Sequence, residues 1–263
     1  MGDVIWYFTG TGNSLSAAKR AAAALGSDVE VRPIAAVAGT PVEITASTLG
    51  FAFPVYSFGV PRLVKEFIET ASGIGAERIF AIATCGNGPG GVLAQLDALL
   101  ATKGARLDAA LSVTYPGNCI PLHQAPPAES CAAVIARAEQ AIDAFMAEVK
   151  AGRDVPPSLL SRIGAFLFGP LHAGFVRSVR KTGRMFRAGN SCSRCGLCMR
   201  ACPVANIAAG PDGKPVWGER CEGCLACLNL CPVEAIQFGG LTRGRRRYRH
   251  PAIEIAEIAA QRR

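Results

Sequence analysis

Residues 3–18 read DVIWYFTGTGNSLSAA: an apolar run, a loop of Gly and hydroxyl residues, then a helical pattern. A strand ending in such a loop at a helix amino terminus offers backbone N–H groups and the positive end of the helix dipole to an anion, phosphate above all. The stretch is not a Walker loop, because the Lys of G-x-x-x-x-G-K-[ST] is missing. It is not G-x-G-x-x-G either, because Leu15 stands at the third Gly. The competing reading is a plain tight strand-to-helix turn.

The alternation continues outward. Apolar runs at 29–34 (VEVRPI), 48–55 (TLGFAFPV), 78–84 (RIFAIAT) and 107–115 (LDAALSVTY) predict four more strands, and 13–25, 61–71, 91–103 and 128–150 predict helices. Strand and helix in turn imply an α/β fold with a five-stranded, doubly wound parallel sheet, the leading strand order being 2-1-3-4-5. In such a sheet ligands bind where strand carboxyl ends line a crevice. The loops there are TGTGNS (9–14), PVYSFGVP (54–61) and TCGNGPGG (84–91). A flat, partly apolar ring fits between the last two, with Tyr56 or Phe58 against one face and the backbone of Gly86, Asn87 and Gly88 at its edge.

The second half carries CSRCGLCMRACP (192–203) and CEGCLACLNLCP (221–232), an internal duplication of C-x2-C-x2-C-x3-C-P. Three evenly spaced thiolates from one tight loop suit neighbouring irons of a cubic 4Fe-4S cluster, the fourth coming from elsewhere. Zinc sites instead use paired C-x2-C knuckles across a longer spacer. Residues 204–220 between the repeats read as a hairpin, with Trp217 in packing rather than electron relay.

The cysteine-rich module, residues 190–238, closely resembles the bacterial ferredoxins with two 4Fe-4S clusters. In those proteins the fourth cysteine of each run ligates the other cluster. The resemblance therefore implies one set of Cys192, Cys195, Cys198 and Cys231, and another of Cys221, Cys224, Cys227 and Cys202. Residues 3–150 resemble flavodoxins, with IWYFTGTGNSLSAA similar to their FMN-phosphate signature. That likeness implies FMN. Its phosphate would lie on Thr9, Gly10, Thr11, Gly12, Asn13 and Ser14. Its ring would lie between Pro54, Val55, Tyr56, Ser57, Phe58 and Gly59 on one side and Thr84, Cys85, Gly86, Asn87 and Gly88 on the other. Ser14 stands where Thr is usual, and 84–91 lacks the acidic and Tyr residues of short electron-carrier flavodoxins. The whole chain is similar to the flavodoxin-ferredoxin fusion proteins found mainly in anaerobic microbes, with units at 1–150, 151–189 (a helical connector), 190–238 and 239–263.

Composition limits the alternatives. The chain has 263 residues, half of them apolar and 18% charged, which excludes general disorder. Residues 1–150 hold 10 Lys/Arg against 13 Asp/Glu, net −3, and residues 151–263 hold 18 against 7, net +11. The start has no basic region with an apolar signal core, so a reducing, cytoplasmic interior is expected. The apolar stretch 163–176 contains Pro170 and His172 and is too short to span a membrane. It is read as a helix covering the domain junction, in preference to an interfacial membrane helix. The RGRRRYRH run (243–250) reads as a solvated basic arm, able to dock an acidic redox partner. Nucleic acid is not expected. Cys131 reads as core, Cys119 and Cys85 as packing near the ring, and His123, His172 and His250 as surface or packing residues.

The function expected from these readings is electron transfer between the two clusters and the FMN, with redox proteins of unspecified identity as donor and acceptor. The alternative is a flavin-dependent reductase of a quinone or other small electrophile, fed by its own clusters. A zinc-stabilised binding protein is the reading that loss of the cluster assignment would leave.

Overall fold

Along β1 (Val4–Tyr7) side chains alternate between two faces, as the two-residue period of a strand requires. Val4 and Trp6 enter one apolar layer and Ile5 and Tyr7 the other, so the strand is buried on both sides. In the computed structural model, which describes residues 2–262, nine further elements build on that strand. They are α1 (Asn13–Leu25), β2 (Glu30–Pro33), α2 (Ile34–Val37), β3 (Glu43–Pro54), α3 (Arg62–Thr70), β4 (Gly73–Cys85), α4 (Val92–Ala101), β5 (Ala109–Thr114) and α5 (Ala128–Lys150). All strand pairings in this sheet are parallel, in the order β2-β1-β3-β4-β5. This is the flavodoxin-like doubly wound sheet that the sequence predicts. Leu63, Val64 and Phe67 of α3 and Leu96 and Leu100 of α4 cover one face. Leu15 and Ala18 of α1 with Ile135, Ile142 and Met146 of α5 cover the other.

β3 and β4 start earlier than their apolar runs indicate. The added residues of β3 alternate, Ile44 and Ala46 inward and Glu43 and Thr45 outward, so a search for continuous apolar runs passes over them. The short α2 is likewise absent from the sequence reading.

The second half begins with α6 (Leu159–Ser178), which runs on through Pro170 into a 3-10 segment, Val179–Met185. β6 (Phe186–Ala188), α7 (Leu197–Arg200), β7 (Ile207–Ala209), β8 (Pro215–Trp217), α8 (Ala226–Asn229), β9 (Ile236–Phe238) and α9 (Ile255–Ala259) follow. β6 pairs antiparallel with β9, and β7 with β8 as the hairpin between the repeats. Phe186 stacks on Trp217 at 5.6 Å between ring centroids, which places Trp217 in packing, as expected.

The two halves share their cores. Ala226, Leu230, Ile253 and Ile258 complete the layer under α1 and α5, while Ile120, Ala125 and Cys131 pack with Phe186, Ile207 and Leu228. The C-terminal basic run departs from the expectation of a solvated arm. Arg245 donates to the Ile120 carbonyl (2.7 Å), Arg246 to that of Ala125 (3.0 Å) and Arg247 to that of Ile236 (3.2 Å). The physical reason is supply and demand: the irregular chain at 116–125 has no sheet to satisfy its carbonyls, and guanidinium donors do so instead.

A charge pair also crosses the junction. Arg62 Nε, on α3, donates to Oε1 of Glu222 (3.0 Å), a carboxylate that is 1% exposed. Burial pushes the Glu222 carboxyl up, and Arg62 opposes that shift. Removing one member of a buried pair strands the other, at a cost of about 3 kcal/mol. Arg62→Ala is therefore expected to lower the unfolding free energy measured in urea by about that amount, and Arg62→Ala/Glu222→Ala to recover part of it. Equal loss in the single and double variants would show that the pair carries no such energy.

Candidate functional site

One cavity of about 280 Å³ opens at the carboxyl ends of the sheet strands. Fifteen of the seventeen residues predicted for the ring and phosphate line it: Thr9, Gly10, Thr11, Asn13, Ser14, Pro54, Val55, Tyr56, Ser57, Phe58, Thr84, Cys85, Gly86, Asn87 and Gly88. Gly12 and Gly59 turn away from it. A Cβ on Gly12 would press on His250 and Ile253, and one on Gly59 would collide with Gln95 and His172. Both glycines therefore serve close packing behind the loops.

The loop geometry follows from local chemistry. Gly12, at φ 103°, takes the left-handed conformation that ends the turn, and α1 starts at Asn13 with no acidic residue in its first turn. The first amides of α1 have no intrahelical acceptor, so they remain to receive an anion. Thr9 Oγ1 accepts from the Gly12 N–H (3.0 Å), Asn118 Nδ2 donates to Thr11 Oγ1 (2.8 Å), and Ser14 Oγ lies 2.8 Å from Thr84 Oγ1. Ser57 and Phe58 both have positive φ, at 48° and 65°, and form a two-residue turn closed by reciprocal bonds between Tyr56 and Gly59. Left-handed backbone on a residue as bulky as Phe is strained, by on the order of 1–3 kcal/mol. It holds the Phe58 ring against Phe168 of α6, stacked at 4.4 Å.

The C-terminal segment straps this loop from behind. The His250 N–H donates to the Thr11 carbonyl (2.8 Å), and Tyr248 Oη to Asn13 Oδ1 (2.7 Å). The Gln261 side chain bonds both the N–H (3.2 Å) and the carbonyl (2.8 Å) of Thr9.

The cysteines fall into two groups around small cavities. One is lined by Cys192, Cys195, Cys198 and Cys231, the other by Cys202, Cys221, Cys224 and Cys227. Among the described residues no three His, Cys, Asp or Glu side chains converge to hold a single metal ion. Tetrahedral zinc would need its sulfurs within about 4 Å of one another, given Zn–S bonds of about 2.3 Å. The duplication is written in the backbone as well: Arg194 and Gly223, Gly196 and Leu225, and Ala205 and Glu234 all have positive φ, each pair 29 residues apart. Amides of these loops reach sulfur, with Asn206 N–H on Cys202 (3.2 Å) and Gly223 N–H on Cys221 (3.4 Å).

The two groups differ in burial. Burial pushes the thiols of Cys202, Cys221, Cys224 and Cys227 up, so four thiolates could collect there only against compensating positive charge, such as iron. In the other group Cys198 is pushed up to about 11 by burial, whereas the Leu197 amide holds the exposed Cys195 below its ordinary value.

Ten further residues line the large cavity. Pro116, Gly117, Asn118, Cys119, Leu122 and His123 follow β5, whose carboxyl end obeys the same crevice rule as those of β1, β3 and β4, so that signal was available in YPGNC. Phe175 of α6 and Gly223, Cys224 and Leu225 of the second cysteine loop come from docking and have no local signature. Cys224 lines both the large cavity and the inner cysteine cavity. Cys85 and Cys119 also line the large cavity; burial pushes both thiols up, away from nucleophilic use. His172 and His250 are packing residues, as expected, while His123 reaches the cavity rim.

Comparison with known proteins bears on these sites. A family described as the 4Fe-4S dicluster domain matches residues 184–232, so this stretch is an iron-sulfur domain and the chain a redox protein. No curated protein matches the chain. Solved structures similar to it include a protein described as a flavoprotein from Bacteroides uniformis (19% identity, TM-score 0.33, 43% of this chain and 90% of that one). The Trp repressor binding protein of Bacillus subtilis is similar at 17% identity and TM-score 0.37 over 55% and 97%. The rubredoxin oxygen:oxidoreductase of Desulfovibrio gigas is similar at 15% and 0.34 over 56% and 37%. The fold itself rests on the strand order.

The strap has a pH signature. Burial lowers His250 from 6.5 to about 4, so between those values the unfolded chain binds a proton that the folded one refuses. Stability present above pH 6.5 is then lost as pH falls towards 4, by about 2 kcal/mol between pH 7.5 and 5. His172 is lowered by burial in the same direction. Urea unfolding of the wild type and of His250→Asn, compared at both pH values, isolates the difference: the variant is expected to lose about 2 kcal/mol less. Parallel slopes would refute the assignment.

Proposed function

We propose that the chain is an electron-transfer protein carrying two 4Fe-4S clusters and one FMN, in units at about 1–150, 151–189, 190–238 and 239–263. The outer cluster would be held by Cys192, Cys195, Cys198 and Cys231, and the inner by Cys202, Cys221, Cys224 and Cys227. When bound, the clusters supply one-electron and the flavin two-electron chemistry. The observation that carries this reading is Cys224, which stands in the wall between the inner cysteine cavity and the large one. The order that follows is partner, outer cluster, inner cluster, flavin.

The chain's own residues have distinct tasks. Neutral donors at Thr11, Asn13 and Ser14 and the open amides of α1 suit the FMN phosphate, and no acidic residue of α1 opposes it. Tyr56, Ser57 and Phe58 on one side and Thr84 to Gly88 on the other suit a flat ring. Half-buried Tyr56 and Cys224 both line the cavity on the side of the inner site. The exposed Cys195, flanked by exposed Arg194 and Arg200, gives an external redox protein its approach. Holding the centres in one chain replaces diffusional encounter with a high effective concentration.

An anaerobic preparation is expected to contain about eight iron, eight sulfide and one FMN per chain. Cys195→Ala should lower iron and sulfide while leaving the FMN content unchanged, and slow flavin reduction by a protein donor at least ~10-fold. Flavin reduction at the wild-type rate in that variant would overturn the order of centres, and zinc without flavin would overturn the cofactor set.

A further inference from the structure

α6 carries its apolar residues on the wrong side for a soluble helix. Its inner stripe is fastened to the body. The Ala94 N–H donates to Ser161 Oγ (3.1 Å), Phe168 stacks on Phe58, and Gly164 sits so near Gly90 that a Cβ would collide with the backbone there. The outer stripe consists of Leu159, Leu160, Ile163, Phe166, Leu167 and Leu171, all exposed, Phe166 by 84% and Leu160 by 78%. Large side chains grouped on one face in this way differ from the single exposed hydrophobics of ordinary surfaces.

The charges around this face have one sign. From Val155 to Pro211 the sequence contains eight Lys or Arg and no Asp or Glu. Arg162 flanks the stripe. Arg177 lies 18 residues from Leu159, five helical turns on, and so at the same azimuth. Arg180, Lys181 and Arg184 follow in the 3-10 segment. The helix that includes Leu159–Met185 contains one 18-residue window apolar enough to cross a membrane by composition alone. The bonds and stacks of its inner stripe, however, tie it flat against the sheet domain.

We infer that the outer face of α6 docks the protein on an acidic phospholipid bilayer, the helix lying in the plane of the interface with Leu160, Phe166 and Leu167 in the acyl boundary and Arg162, Arg177 and Lys181 among the phosphates. An apolar stripe bordered by cations is what such a surface recognises. A second copy fits less well, because an acid-free segment would face itself. Two carboxylates meet the cations that follow α6: Glu66 pairs with Arg62 and, at 4.0 Å, with Arg180, and Glu219 pairs with Arg184, so neither is free for a second copy. Phe175, on the same helix, lines the large cavity, so docking sets that cavity beside the lipid surface. The inference rests on the surface of α6 and stands apart from the identity of the cofactors.

Flotation of the full-length, cofactor-loaded protein with vesicles tests it, using phosphatidylcholine alone or with about one-third phosphatidylglycerol. The expected result is at least ~10-fold stronger partitioning to the acidic vesicles, weakened at about 0.5 M salt. Phe166→Glu/Leu167→Glu should abolish it at unchanged melting temperature and flavin content. Arg177→Gln and Lys181→Gln should each lower partitioning about fivefold, on acidic vesicles only. Three outcomes would overturn the inference: wild-type protein that stays with the buffer at both compositions, flotation that neither the acidic nor the neutral substitutions reduce, or a dimer in solution that Phe166→Glu/Leu167→Glu converts to monomer.

Discussion

The contact on which the rest of the structure depends is the one between Gly10 and the carbonyl of Cys224. A Cβ at Gly10 would collide with that oxygen, so the 9–14 loop of the sheet domain and the second cysteine loop meet backbone to backbone. Glycine permits that approach because it has no Cβ to remove. Everything near the contact then follows from two loops sharing one wall. The large cavity gains Gly223, Cys224 and Leu225 as lining, the inner cysteines gain their burial, and Arg62 meets Glu222 within the junction.

Burial explains why the two cysteine groups are unequal although their loops are copies. Their backbones match at positive-φ positions 29 residues apart, so the local geometry is the same. The inner group lies against the sheet domain, where desolvation disfavours free thiolates, while the outer group retains an exposed Cys195 and surface arginines.

The connecting segments do more than connect. The C-terminal run, basic enough to suggest a free arm, spends its guanidinium donors on carbonyls of 116–125 and 236 and clamps the 9–14 loop through Tyr248, His250 and Gln261. α6 fastens its inner stripe to the sheet domain, lends Phe175 to the cavity and leaves its outer stripe bare. In both, the composition is legible but its direction is not. A run of arginines looks alike whether it faces solvent or carbonyls, and an apolar helix looks alike whichever stripe is inward.

By itself the sequence determined what depends on neighbours along the chain. Strand and helix alternation pointed to a parallel α/β sheet with 2-1-3-4-5 as the leading order, TGTGNS to a tight loop at a helix start, and cysteine spacing to two similar loops, because periodicity, helix ends and short ligand spacings are local properties. The early residues of β3 escaped that reading because they alternate instead of forming a run. Only the tertiary structure decided the strand order, which cysteine loop meets the 9–14 loop, that Gly12 and Gly59 support the cavity from outside it, that Phe175 and Cys224 complete it, and that the apolar face of α6 points outward. Those outcomes depend on how two finished surfaces fit, through Gly10 against Cys224 and Arg62 against Glu222, and complementarity between distant surfaces leaves no period or spacing in either one.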